Sequence, residues 1–385
     1  MEIKRILEGM RSLAVFRCVL DNDVIKAFVR LCDSPDADKI GEFAHRLYNE
    51  GVNLSQVFLN IVLLSENICS VKKAQGEEVP FLLTERAKEE LSIIECASKV
   101  KVEDFGVEKA RLAVWETEDI DFTKAFFERL DIIKSTGYGV FAENYMFTLE
   151  DKDIVPAIFK DDTAISDLKG YERQRAQIDN NIKALLRGKV AANMLLYGDS
   201  GTGKSATVKA FTNLYACEGL RLIEIKKNQI GEIPYIMGKV SKSPLKFILF
   251  LDDLTFEPSD ESFGNMKAVL EGSVAARAKN TCICVTSNRR HLVKESVKDR
   301  EMGDLHRRDT MEEIGALTQR FGLSVVYEKP DRFAYEQVLR EIALDNGLEI
   351  TEKEVKEAEA YAISKGGRSC RVAKQYVEEL LRRID

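Results

Sequence analysis

The chain has no stretch of about eighteen uncharged apolar residues, so no segment qualifies as a membrane-spanning helix. It has no internal repeat and no low-complexity tract. It has no excess of positive charge. Lysine and arginine total 57 against 64 acidic residues, a net charge of −7. That balance argues against a broadly basic surface that coats nucleic acid, and it leaves room for a local basic patch. The opening residues Met1 to Arg5 begin an amphipathic stretch that Arg11 and Arg17 interrupt, so they lack the apolar core of a signal peptide. Histidine is scarce, with three residues, and the eight cysteines are scattered, several inside apolar segments as reduced buried thiols would be. Cys282 and Cys284 share one face of a strand, but no nearby Cys or His pair completes a tetrahedral metal site. Taken together these absences point to a cytoplasmic protein without a membrane partner. A length of 385 residues with 45% hydrophobic and 31% charged composition suits two or three globular domains.

What the chain does have is Gly198-Asp199-Ser200-Gly201-Thr202-Gly203-Lys204-Ser205, the pattern G-x-x-x-x-G-K-S. A short apolar strand, Met194 to Tyr197, precedes it, and a helix over about Ala206 to Ala216, stopped by Gly219, follows. Strand, glycine loop and helix are the context that makes this motif a phosphate site. Loop glycines without Cβ atoms let successive backbone N–H groups curl around a β-phosphate, and the helix N-terminus adds partial positive charge. Lys204 is placed to reach the β- and γ-phosphates, and the Ser205 hydroxyl to join a Mg²⁺ shell. The expected ligand is a nucleoside triphosphate with Mg²⁺.

A second signature follows further along. Phe247 to Leu251 reads as a buried strand ending in Asp252-Asp253. The end of such a strand lies at the carboxyl edge of a parallel sheet, where phosphates bind. Asp252 is then placed to hold a metal-bound water, and Asp253 to orient or deprotonate the attacking water.

Helical patterns fill residues 1–134, where Asn53 caps a run from Leu54 to Leu64 and Thr84 precedes a run from Glu85 to Ala97. His45 there reads as a surface helix residue. Ser135-Thr136-Gly137-Tyr138-Gly139 and the irregular stretch after it read as a connection over 135–163. From 164 to 330 strands alternate with helices, which argues for a parallel, doubly wound sheet. Its candidate strands are Met194–Tyr197, Arg221–Ile225, Phe247–Leu251, Thr281–Thr286 and Leu323–Tyr327. Over 331–385 helices return: Arg332–Ala343, a run behind the capping box that starts at Thr351, and Ser369–Arg383. The stretch Arg289 to Arg308, with His291 and His306, is rich in both signs and reads as a solvated loop.

The succession of the glycine loop, Asp252-Asp253, Thr286-Ser287-Asn288, Gln319-Arg320-Phe321-Gly322 and Gly366-Gly367-Arg368 resembles the AAA+ ATPases. More narrowly, Gly170-Tyr171-Glu172-Arg173-Gln174, Leu270-Glu271-Gly272 and Thr286 to Leu292 are similar to an uncharacterised bacterial branch of that superfamily. The resemblance runs from about Leu168 onward. It implies an α/β fold, a three-layer P-loop core of five parallel strands with a helical lid, and an N-terminal helical domain outside the match. It also implies ATP bound between core and lid, usually between subunits of a ring.

The resemblance assigns Tyr171 to the adenine pocket and Asn288 to a sensor of the γ-phosphate. Arg320 takes the position of an arginine finger that reaches a neighbour's site. Arg368 falls at the lid arginine, with Arg371 one turn on as the alternative. Tyr235-Ile236-Met237-Gly238 lies where translocating rings place an aromatic pore loop, but it lacks the aromatic–hydrophobic–glycine order and reads as core helix packing. Asp253 departs from the glutamate that many members carry. Its side chain is one methylene shorter, which suggests slow, switch-like hydrolysis. Three functions stay open on this reading: remodelling of a protein client, loading or initiation on DNA, and a nucleotide-gated scaffold. The implied partners are ATP, further copies of the chain and a macromolecular client, with protein favoured over nucleic acid.

Overall fold

A computed structural model describes residues 2–107, 113–159, 161–256, 261–271, 279–288 and 317–384. They divide into two compact units, one of Met1–Glu143 with Lys242–Leu245 and the other of Asn144–Ser241 with Lys246–Asp385.

The first unit is helical: α1 (Glu2–Arg11), α2 (Asp23–Asp33), α3 (Ala37–Glu50), α4 (Leu54–Leu64), α5 (Ile68–Ala74), α6 (Phe81–Ser98), α7 (Phe122–Asp131) and the single turn α8 (Ile133–Thr136). Short polar side chains start most of these helices by satisfying N–H groups that have no partner within the helix. Asn53 Oδ1 accepts from Ser55 N at 3.0 Å and Gln56 N at 3.2 Å, so α4 begins where its sequence placed it. Helix α6 begins a turn earlier than Thr84 suggested. Pro80 fills the cap position, where a missing N–H costs nothing, and the Thr84 hydroxyl bonds back to the Pro80 carbonyl at 3.4 Å. Phe28, Phe43, Phe58 and Trp115 pack edge-on or tilted in the core. Glu90, buried on α6, accepts backbone N–H groups of Ala14, Val15 and Phe16 at 2.9, 3.1 and 2.9 Å.

Among the described residues no single helix is long and apolar enough to cross a membrane. Helices α4 and α5 pass that test only together, across a 47° bend, and Leu54, Val57, Phe58 and Val62 of α4 are buried in the helical core.

The second unit is an α/β core with a helical lid. Its strands are β1 (Met146–Glu150), β2 (Asp153–Pro156), β3 (Met194–Gly198), β4 (Leu220–Glu224), β5 (Lys246–Leu251), β6 (Thr281–Ser287) and β7 (Leu323–Tyr327), in the order β2-β1-β4-β5-β6-β3-β7. Strands β3 to β7 pair in parallel and match the five expected from sequence within a residue or two at each end. The segment after Gly139, read as irregular, instead holds the hairpin β1–β2, with β1 running parallel to β4 and β2 antiparallel to β1. Its two-residue loop is Asp151-Lys152, both with positive φ, at 46° and 69°. That turn normally advertises itself by Asn-Gly or Asp-Gly, and neither is present.

Helices α9 (Glu172–Leu186), α10 (Lys204–Leu214), α11 (Ile233–Val240) and α12 (Glu261–Glu271) belong to the core. The Tyr235 segment does form a helix, α11, but Tyr235 itself does not pack inward. Ile233, Ile236 and Val240 take the core face, while Tyr235 is 52% exposed beneath the Lys239 ammonium. Cys282 and Cys284 are buried in β6, and burial pushes the Cys282 thiol up to about 12, as expected of inert core thiols.

The lid comprises α13 (Arg332–Asp345), α14 (Glu352–Ser364) and α15 (Cys370–Ile384) around Tyr335, Leu339, Tyr376 and Val377. The capping box at the start of α14 is formed, with Thr351 N donating to the Glu354 carboxylate at 2.8 Å and Glu354 N to Thr351 Oγ1 at 3.3 Å. Arg289 to Arg308, with His291 and His306, and Gly272 lie outside the described residues.

Candidate nucleotide site

The loop between β3 and α10 is shaped by what its glycines permit. A Cβ on Gly198, which has φ +126°, would lie 2.2 Å from the Tyr327 carbonyl oxygen, so only glycine lets β3 and β7 close here. Gly201 and Gly203 also have positive φ, and Lys204 and Ser205 form the first turn of α10. Helix α10 therefore begins two residues earlier than its apolar pattern implied.

Lys204 is 5% exposed, and burial holds its ammonium below the usual lysine range. Its Nζ donates to the carbonyls of Gly198 and Asp199 at 3.1 and 2.7 Å and to Asn288 Oδ1 at 3.0 Å. Asn288 follows the end of β6. Its Nδ2 donates to Asp253 Oδ1 at 2.7 Å, so one amide joins the loop lysine to the second carboxylate.

Strand β5 delivers the two aspartates differently. Asp252 Oδ1 accepts from Ser205 Oγ and Thr286 Oγ1, each at 2.5 Å, and from Asp253 N at 3.1 Å. Asp253 adopts φ +48°, a left-handed conformation unusual for a residue with a Cβ, and its N–H also donates to Thr286 Oγ1 at 2.8 Å. The Thr286 hydroxyl thus orders both aspartates. Thr286 therefore has a part that the Thr286-Ser287-Asn288 motif does not by itself assign. Its signal was the hydroxyl beside the end of an apolar strand.

These groups open on a cleft of about 850 Å³ between core and lid. Tyr171 lines it with φ +61°, its ring 5.0 Å from that of Tyr327 and its hydroxyl donating to the Glu328 carbonyl at 2.6 Å. Burial pushes that hydroxyl's pKa up. From the lid, Ile342, Asn346 and Arg371 reach the same cleft. Arg368 is not among the residues that line it. It pairs with Glu359 of α14, because Gly367, with φ +123°, turns the chain before α15 begins. Of the two lid arginines the cleft therefore contains Arg371. Arg320 also stands apart from the cleft and pairs with Glu271 at the end of α12.

The donor set fits magnesium with a nucleoside triphosphate. A hydroxyl and a single carboxylate, Ser205 and Asp252, suit an ion that keeps several waters and takes its other oxygens from phosphate. Among the described residues no cluster of three or more His, Cys, Asp or Glu side chains could cage a metal alone.

A family model described as "Protein of unknown function (DUF815)" matches residues 142–384, and the chain belongs to that family. It is similar to the replication factor C large subunit of Methanococcus vannielii, 22% identical over 203 residues. The match covers 52% of this chain and 37% of that relative, so the chain spans little more than a third of its length. Among solved structures, the RuvB Holliday junction branch migration motor of Thermotoga maritima is 14% identical with a TM-score of 0.37, over 56% of this chain and 63% of that one. The FIGL-1 AAA domain in complex with ADP is 15% identical with a TM-score of 0.38, over 57% and 72%. With its glycine loop, five parallel strands and three C-terminal helices, the second unit has the α/β fold of a P-loop core.

Proposed function

We propose that this chain is a magnesium-dependent ATPase that converts ATP to ADP and phosphate and uses the cycle to change the conformation of a macromolecular partner, most simply a protein. The observation that carries this reading is the convergence of Lys204, Ser205, Asp252, Asp253 and Asn288 on one cleft that the lid's Arg371 also enters. The loop amides and Lys204 bind the β- and γ-phosphates. Ser205 and Asp252 would hold magnesium, which would supply neutralising charge to the phosphates. Asp253 orients the attacking water and accepts its proton, while Asn288, hydrogen-bonded to it, fixes the direction of the carboxylate. Tyr171 forms the wall for the base. Arg371 supplies positive charge from the lid, and Arg320 supplies it to the site of a neighbouring copy.

The net charge of −7 favours a protein client over a nucleic acid. Phosphate release by the purified chain, measured with ATP alone, with DNA and with a captured client, tests the proposal. The client is captured on Asp253→Asn, which is expected to hold ATP without turning it over. Stimulation by the client supports the reading. Stimulation by DNA alone replaces the remodelling part with the loader reading, and no phosphate release under any condition overturns the ATPase reading.

A further inference from the structure

The second position of the glycine loop, Asp199, faces the place where the core passes into the lid. Its N–H donates to the Tyr327 carbonyl at 2.8 Å, and its Oδ2 accepts the N–H of Lys329 at 2.8 Å. Lys329 is the last residue before Pro330, which has no N–H and begins the connection to α13. The Lys329 ammonium in turn donates to the Gly366 carbonyl at 2.7 Å, in the turn that launches α15. Gly367 next to it leaves room for that ammonium, since a Cβ there would stand 2.8 Å from Nζ. The loop, the start of the lid and the start of the lid's last helix are therefore joined in one line through two side chains.

A second tie runs beside it. Arg371 N, in the first turn of α15, donates to the Gly201 carbonyl at 3.1 Å. In a trans peptide the C=O and the following N–H point in opposite directions. Fixing the Gly201 oxygen toward the lid therefore fixes the Thr202 N–H away from it. A Cβ on Gly201 would meet Ser369 Oγ at 2.9 Å, so the approach of α15 to the loop also depends on glycine.

We infer that Asp199 and Lys329 are positioning residues that clamp the lid to the phosphate loop, so that the lid's seating sets how long the nucleotide stays bound. This rests on the nucleotide reading above and adds to it a determinant of release. Both side chains are exposed, so their replacement removes the tie without opening the core. Lys329→Met keeps the stem and the backbone N–H but loses the bond to Gly366. Asp199→Ala loses the acceptor for Lys329. Lys329→Arg retains a cation of similar reach.

The test is stopped-flow release of a fluorescent N-methylanthraniloyl ADP from the full chain, with steady-state hydrolysis and a thermal melt on the same samples. Lys329→Met and Asp199→Ala are expected to release nucleotide about tenfold faster, the effect of losing one charge-assisted hydrogen bond. With slow chemistry KM follows affinity, so KM for ATP should rise by a similar factor in both variants, while kcat of Lys329→Met, outside the loop, changes by less than about twofold. Lys329→Arg should return release toward the wild-type rate. Wild-type release rates in both loss variants would overturn the clamp, as would a fall in kcat at unchanged KM, which is the sign of a lowered active fraction. If the wild-type chain itself binds no nucleotide, the nucleotide reading fails and the clamp with it. If the wild type binds and the variants release as it does, the clamp alone fails.

Discussion

Asn288 donates a 2.7 Å hydrogen bond to Asp253, and Asp253 meets it in a left-handed backbone conformation that a residue with a Cβ seldom takes. The shorter carboxylate at this position is thus turned back toward β6. Asp252→Asn should weaken magnesium-dependent ATP binding, since it removes the charge that Ser205 and Thr286 gather around. Asp253→Asn should keep ATP affinity and lower hydrolysis by about 10²-fold or more. Calorimetry with and without magnesium, beside a phosphate-release assay, separates the two. Wild-type turnover by Asp253→Asn would move water activation to another residue.

Lys204→Ala should abolish measurable ATP binding while leaving the thermal melt in place. The wild type should also show a pH signature. Burial holds Lys204 below the usual lysine range in the protein alone, and a bound triphosphate would raise it. Between those two values the complex carries more protons than its separated components, so affinity should fall as pH rises through that alkaline window. Titration in two buffers of different ionisation heat reads the proton uptake directly.

The lid arginines should differ. Arg371→Ala, within the cleft, should reduce kcat/KM by roughly 10–100-fold, as loss of one charge-stabilising group does. Arg368→Ala should change it by less than about threefold and show instead as a lower melting temperature, because Glu359 loses one of its two arginine partners among the described residues and keeps Arg332, at 3.2 Å. Steady-state kinetics and melts on both variants decide between them. The opposite ranking would return the role to Arg368.

Arg320→Ala should bind ATP normally and hydrolyse it at least about 10²-fold more slowly, given the usual worth of an arginine finger. Mixing it with Lys204→Ala subunits should restore part of the activity, because some interfaces then pair an intact Arg320 with an intact loop. Sedimentation of a strict monomer at full activity with ATP would exclude composite sites.

In the helical unit, Glu90→Ala should cost roughly 2–4 kcal/mol, because three backbone N–H groups lose their buried acceptor. Glu90→Gln should also destabilise, since an amide NH₂ would then face an N–H donor. The chain's single tryptophan, Trp115, sits in this unit against Phe43 at 5.0 Å, so its fluorescence during urea unfolding of the full chain reports the loss.

The phosphate loop and the five parallel strands were legible in the sequence because each rests on a local pattern: glycines that need positive φ, and apolar runs of strand length. The Thr351 and Asn53 caps were legible for the same reason. What escaped is decided across long distances or by atypical turns. The hairpin β1–β2 escaped because Asp151-Lys152 takes a conformation that glycine or asparagine would have announced. The contents of the lid side of the cleft depend on how Gly366 and Gly367 turn the chain into α15, and motif spacing alone left Arg368 and Arg371 equivalent. Lys329 carried no signal at all, because its partners lie 130 residues before it and 37 residues after it in the chain.

The hairpin also closes one margin of the sheet. Without it β4 would form the margin of the sheet and offer its backbone groups to any extended chain nearby. Strand β1 covers that margin instead, and β2 outside it is only four residues long, opens with the charged Asp153 and closes with Pro156, which has no N–H to give. A further strand would find little to pair with on that side. Many copies held at high local concentration, as in a multi-subunit particle, would therefore resist fusing sheet to sheet along this border, a safeguard against misassembly independent of nucleotide chemistry.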